Sequence, residues 1–82
     1  MPFVFSKPVM SAVQKYRRLL GEAVRAKRKE AEFSQEKLAE KAGLSTVFIS
    51  RIERGVESPT VDNLFKIAKA LGVRVSVLVD GF

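Results

Sequence analysis

Ser34, Ser45 and Thr60 each stand just before a short run whose apolar residues recur at helical spacing. A hydroxyl at such a place accepts the amide of the second or third helical residue. The other amides of that first turn point outward, where the helix dipole favours an anion such as phosphate. Gly43 and Gly55 lie where the first two runs stop, and glycine suits the left-handed residue that closes a helix. Two short helices joined by a glycine-containing turn describe a helix-turn-helix. A short helix fits the major groove of duplex DNA only if it protrudes from its domain, and the preceding helix props it there.

The charge pattern adds a second chemistry. Lys15, Arg17, Arg18, Arg25, Lys27, Arg28 and Lys29 stand against Glu22 alone within fifteen residues. The whole chain carries 15 Lys and Arg against 9 Asp and Glu, a net charge of +6. That balance suggests a polyanionic partner, either nucleic acid or an anionic membrane surface. Residues 34–60 carry four charges of each sign and are formally neutral. The chain has no Cys and no His. Disulfides, thiolate and imidazole metal sites, Cys nucleophiles, His triads and a His pH switch are therefore excluded. No convergent acid, base and nucleophile set is evident, so an enzyme is not expected, nor a metal, a cofactor or a small-molecule ligand.

A chain of 82 residues makes one small domain. It buries only about 60% of its unfolded surface and would gain from a partner. No apolar run approaches the roughly 18 residues that span a bilayer. The first ten residues lack the order of a secretory signal, which makes the cytoplasm the expected location.

The elements that position these residues read as follows. Residues 1–10 form an N-terminal arm, in which Pro2 and Pro8 oppose helix while Phe3, Val4, Phe5 and Val9 are apolar. Residues 11–82 form the domain. Ser11 caps a first helix over about 11–31, with Val13, Tyr16, Leu20, Val24 and Ala31 as its apolar stripe. A second helix covers 35–42, with Leu38, Ala39 and Ala42 facing inward. A third covers 46–54, with Ile49 and Ile52 buried, so the helix-turn-helix spans 35–54. A fourth covers 61–71, with Leu64, Ile67, Ala68 and Leu71 on its inner face. Val73, Val75, Val77 and Val79 alternate as in a strand. A lone strand is not viable, which leaves a short helix over about 75–80 or a strand completed by a second subunit.

Two runs carry a family resemblance. They are Ser34-Gln35-Glu36-Lys37-Leu38-Ala39-Glu40-Lys41-Ala42-Gly43-Leu44-Ser45 and Ile49-Ser50-Arg51-Ile52-Glu53-Arg54-Gly55. Together they resemble the phage-repressor/Cro-type helix-turn-helix family, also called the XRE family. Pro59-Thr60, Leu64, Ile67-Ala68 and Leu71-Gly72-Val73 extend the likeness, and so do Leu20-Gly21, Val24-Arg25 and Arg28. The resemblance implies a compact, all-α, five-helix lambda-repressor-like DNA-binding domain. It implies base reading by Thr46, Val47 and Arg51, with Gln35 assisting at the start of helix two. It places Ser34, Ser45, Ser50, Arg54, Gly55, Arg28 and Lys29 near phosphates. It also implies a structural ion pair between Arg28 and Glu53, and an aromatic at Phe48 packed against helix two.

The chemistry of those residue types agrees. An arginine bonds guanine O6 and N7 in a bidentate fashion, worth about 1–3 kcal/mol of discrimination, and the methyls of Thr46 and Val47 suit thymine. Two positions depart from the family pattern. Glu32 stands where glycine is common, so Glu32 adopts a left-handed conformation or helix one ends differently. Lys27 replaces an apolar residue, and its stem can lie along the core edge with its head in solvent.

Relatives of this kind usually dimerise on two half-sites, about 34–36 Å apart. Val77, Val79 and Phe82 are the expected dimer surface. The expected partners are double-stranded DNA and a second copy of the chain, with no membrane. The expected function is that of a sequence-specific transcriptional regulator reading an inverted repeat. The alternative is an antitoxin or other interaction module, whose main partner is a protein such as a toxin.

Overall fold

A computed structural model describes residues 6–82, with side chains from residue 12 onward. The described residues form five helices and no strand: α1 (Ser6–Glu30), α2 (Gln35–Ala42), α3 (Thr46–Glu53), α4 (Val61–Leu71) and α5 (Val75–Leu78).

The hydroxyl caps behave as the sequence predicts. Ser34 Oγ accepts from the Lys37 amide at 2.9 Å, Ser45 Oγ from the Phe48 amide at 3.0 Å and Thr60 Oγ1 from the Asn63 amide at 3.1 Å. Each satisfies one orphan donor of its helix and fixes where that helix begins. Gly43 and Gly72 close α2 and α4 in the left-handed region, at φ 70° and 73°. α3 stops one residue earlier than expected: Arg54 is its C-cap, and Gly55 follows at φ 75°.

The start of α1 differs from expectation. The helix begins at Ser6, so Ser11 is an interior residue and residues 6–10 are helical instead of extended. Pro8 does not prevent this, because its missing N–H falls within the first turn, where amides have no intrahelical partner. The rest of the expected arm, residues 1–5, lies outside the described residues. At its other end α1 stops at Glu30, and Glu32 takes φ 59°. The amides of Glu32 and Phe33 bond the carbonyls of Lys29 and Arg28 at 2.9 and 3.0 Å. These two bonds close the helix in a Schellman motif without a glycine.

One core lies where all five helices meet. It contains Leu20 and Val24 of α1, Leu38, Ala39 and Ala42 of α2, Ile49 and Ile52 of α3, Ile67 and Ala68 of α4, and Leu78 of α5. Leu64 and Leu71 are half-buried at its edge. Burial of these aliphatic side chains supplies the main driving force for the fold. The predicted stripe of α1 is only half correct. Val13 and Tyr16 are 54% and 46% exposed, and Tyr16 stacks on Phe82 with ring centroids 5.2 Å apart. Helical period finds a face but not how far along the helix that face is covered. The valine alternation of 73–79 resolves as one turn of helix that buries Leu78, and it ends at Leu78, two residues short of the expected boundary.

Gly21 sets how closely α1 packs on α3. A Cβ there would collide with the Ile52 carbonyl oxygen and lie 2.8 Å from that of Glu53. Only a residue without a side chain lets α1 cross the C-terminal end of α3 at this depth.

Candidate nucleic-acid interface

α3 has two opposed faces. Ile49 and Ile52 are fully buried, which fixes the rotation of the helix about its axis. That rotation turns Thr46, Val47 and Arg51 to solvent, with Val47 61% exposed. The three expected base-reading residues of α3 therefore lie on one outward face, one turn of helix long. Ser50 is half-buried beside them. Phe48 is half-buried and packs against the core cluster.

Behind α3 lies a network tying three elements together. Arg28 Nε and Nη2 donate to Glu53 Oε2 and Oε1 at 2.7 and 3.0 Å, a bidentate pair. Arg28 Nη1 also donates to the Phe33 carbonyl at 2.8 Å, and Gln35 Nε2 donates to Glu53 Oε1 at 3.0 Å. The Arg28 and Glu53 side chains are only 12% and 3% exposed. Its hydrogen bonds to the Glu53 carboxylate raise the Arg28 pKa above its ordinary value, against the opposing effect of burial. A raised basic pKa means the pair's contribution is present at every pH below the ordinary arginine range and fades only as pH rises through the folded value. The Arg28 charge is thus fixed under all working conditions.

Of the two roles expected of Arg28, the structure realises the ion pair. Three of its nitrogens are committed within the chain and its side chain is largely covered. Gln35, expected to assist in base reading, has its amide nitrogen held by Glu53 at the start of α2. Sequence reasoning missed that contact, and likewise the Phe33 carbonyl as a third acceptor for Arg28. The spacing of Arg28 and Glu53 carried no hint of Gln35, because the three residues come from three elements.

The other expected phosphate contacts differ in exposure. Lys29, Ser34, Ser45 and Arg54 are exposed, and Gly55 is half-buried. Ser34 and Ser45 use an oxygen lone pair in capping, which leaves each hydroxyl proton available to donate. Arg51 has a partner that the sequence did not suggest: its Nη1 lies 3.6 Å from Glu57 Oε1. The Lys27 side chain is partly covered, and its ammonium lies 3.1 Å from Glu30 Oε1. Val77 and Phe82 are 40% and 52% exposed, Val79 is half-buried, and Phe82 is already stacked on Tyr16. Among the described residues no helix is long and apolar enough to cross a membrane, and no cluster of acidic residues could hold a metal ion.

A two-faced, capped third helix, braced by a buried arginine–glutamate pair, defines a helix-turn-helix domain. Residues 24–78 match the helix-turn-helix family HTH_3, and the chain belongs to that family. Control protein C.BamHI of Bacillus amyloliquefaciens is 46% identical over 65 residues, which are 78% of this chain and 80% of that protein. An uncharacterized HTH-type transcriptional regulator of Mycobacterium tuberculosis, Rv0474, is 43% identical over 58 residues, covering 71% of this chain. The match spans only 41% of that regulator's length. Among solved structures, the P22 c2 repressor in complex with a synthetic operator superposes with a TM-score of 0.71 at 36% identity. That superposition covers 77% of this chain and 96% of the repressor chain.

Proposed function

We propose that this chain is a sequence-specific DNA-binding transcriptional regulator. It acts as a homodimer that places α3 of each copy in the major groove of an inverted-repeat operator. The observation that carries this reading is the outward face of Thr46, Val47 and Arg51 on a helix whose rotation Ile49 and Ile52 fix. Arg51 is the guanine reader, while Thr46 and Val47 contact thymine methyls. Lys29, Ser34, Ser45, Ser50, Arg54 and the Gly55 backbone hold flanking phosphates and set register without reading sequence. Gln35 steadies α2 through Glu53 and adds a contact at the groove edge. Val77, Val79 and Phe82 supply the contact between copies.

The names of the relatives support DNA over a protein as the main partner. They are transcriptional regulators, control proteins and a repressor solved on its operator. A cytoplasmic location follows from that role, and catalysis has no part in it. The basic α1 raises the rate of encounter through long-range attraction, an effect that salt screens.

A salt titration on short duplexes tests the reading. Binding should weaken steeply, with a log–log slope of about −0.9 for each phosphate neutralised. Arg51→Ala should reduce preference for a selected sequence more than affinity for mixed sequence. If preference survives that substitution intact, Arg51 does not read bases.

A further inference from the structure

Arg51 is not a free side chain waiting for a base. The turn after α3 holds a carboxylate beside it, and that turn is pinned. The Val56 amide bonds the carbonyl of Arg51 itself at 3.1 Å, and the Gly55 amide bonds that of Ile52 at 3.0 Å. Gly55 takes φ 75°, and a Cβ there would lie 3.2 Å from the Arg18 Cα, so α1 backs the turn closely. On the far side Arg17 Nε donates to Ser58 Oγ at 3.1 Å. Glu57 therefore projects from a segment fixed before and after it. Its carboxylate reaches Arg51 Nη1 at 3.6 Å, with both side chains partly exposed. At that distance the pair is an electrostatic tether and not a formed hydrogen bond. Such exposed pairs are weak and exchange readily.

Resting on the DNA-reading role of Arg51, we propose that Glu57 sets specificity by competing with DNA for that arginine. On duplex of the wrong sequence the guanidinium stays with Glu57, and its charge is not released to the phosphates. The carboxylate itself is repelled by the polyanion. On the right sequence two guanidinium donors meet guanine O6 and N7, and that bidentate geometry outcompetes one loose tether. Glu57 thus lowers binding to mixed sequence more than binding to the operator.

The test is a double-mutant cycle on the full chain, with wild type, Glu57→Gln, Arg51→Ala and the double variant. The probes are a duplex enriched by the wild type from a random pool and a mixed-sequence duplex of equal length. The readout is the ratio of the two dissociation constants. In Glu57→Gln that ratio should shrink about three- to fivefold, mainly through tighter mixed-sequence binding, the range an exposed pair supports. In the Arg51→Ala background Glu57→Gln should leave the ratio unchanged, because there is no guanidinium to compete for. An equal gain on both duplexes, or the same change in ratio without Arg51, overturns the proposal and reduces Glu57 to uniform repulsion. If the wild type enriches no sequence, the DNA-reading role itself fails and the proposal with it. Glu57→Gln should keep the wild-type melting temperature within the spread of exposed substitutions, which separates these outcomes from misfolding.

Discussion

α3 contributes one residue to each of two arginine–glutamate pairs that share a chemistry and differ in burial and geometry. Glu53 meets Arg28 of α1 at 2.7 Å with 3% of its side chain exposed. Arg51 meets Glu57 at 3.6 Å with about half of the arginine in solvent. The first pair is bidentate, crosses between elements and is joined by Gln35, so it holds α1, α2 and α3 in one arrangement. The second is solvated and monodentate, and its arginine is free to change partners. The domain thus divides its charges between two tasks. A covered pair is costly to break and fixes geometry, whereas an exposed pair contributes little stability and is available for recognition.

The largest effect should come from breaking the covered pair. Glu53→Ala strands the Arg28 guanidinium and should destabilise the fold by about 3 kcal/mol, measured by urea denaturation. DNA binding should fall with it, through displacement of α2 and α3. Gly21→Ala comes next. Its Cβ would press on the Ile52 and Glu53 carbonyls and push α1 off α3, at about 2 kcal/mol in the same assay. Arg51→Ala should do the reverse of Glu53→Ala. It should leave stability within about 0.5 kcal/mol, while removing about 1–3 kcal/mol of base discrimination in competition binding. The smallest expected effect is a gain. Glu32 sits at φ 59° with no glycine to relieve it, so Glu32→Gly should stabilise by up to about 1 kcal/mol. If Glu53→Ala and Arg51→Ala lost stability equally, the division between bracing and reading would collapse.

These two regions were not equally legible in the sequence. Caps and stops are local, so Ser34, Ser45, Thr60, Gly43 and Gly72 located α2, α3 and α4 to within a residue. The inward faces followed from period, and Leu38, Ile49, Ile52 and Ile67 are all fully buried. The left-handed turn at Glu32 was legible too, as one of two alternatives set by a missing glycine. Beyond local signals the reading weakened. Ser11 and Ser6 are both plausible first residues of α1, and Pro8 is compatible with either choice. Val13 and Tyr16 share the helical phase of Leu20 and Val24, yet both stay exposed, and Tyr16 stacks on Phe82 instead of entering the core. In the site, the resemblance supplied Arg28 with Glu53, but Gln35, the Phe33 carbonyl and Glu57 join their partners across turns. Such contacts depend on how rigid elements are placed in space, which no short-range pattern encodes. Neutrality of residues 34–60 was visible from the start, and its meaning now has a structural form. Of that segment's glutamates, Glu53 braces Arg28 of α1 and Glu57 lies within reach of Arg51, while Arg54 stays exposed.

The measurement that bears most directly on the central claim is selection of bound sequences from a random duplex pool at moderate salt, run in parallel for the wild type and Arg51→Ala. The wild type should enrich an inverted repeat with a guanine at a fixed place in each half. Arg51→Ala should lose that guanine and keep the flanking preference. Enrichment of no sequence, or of the same guanine by both proteins, would contradict that claim.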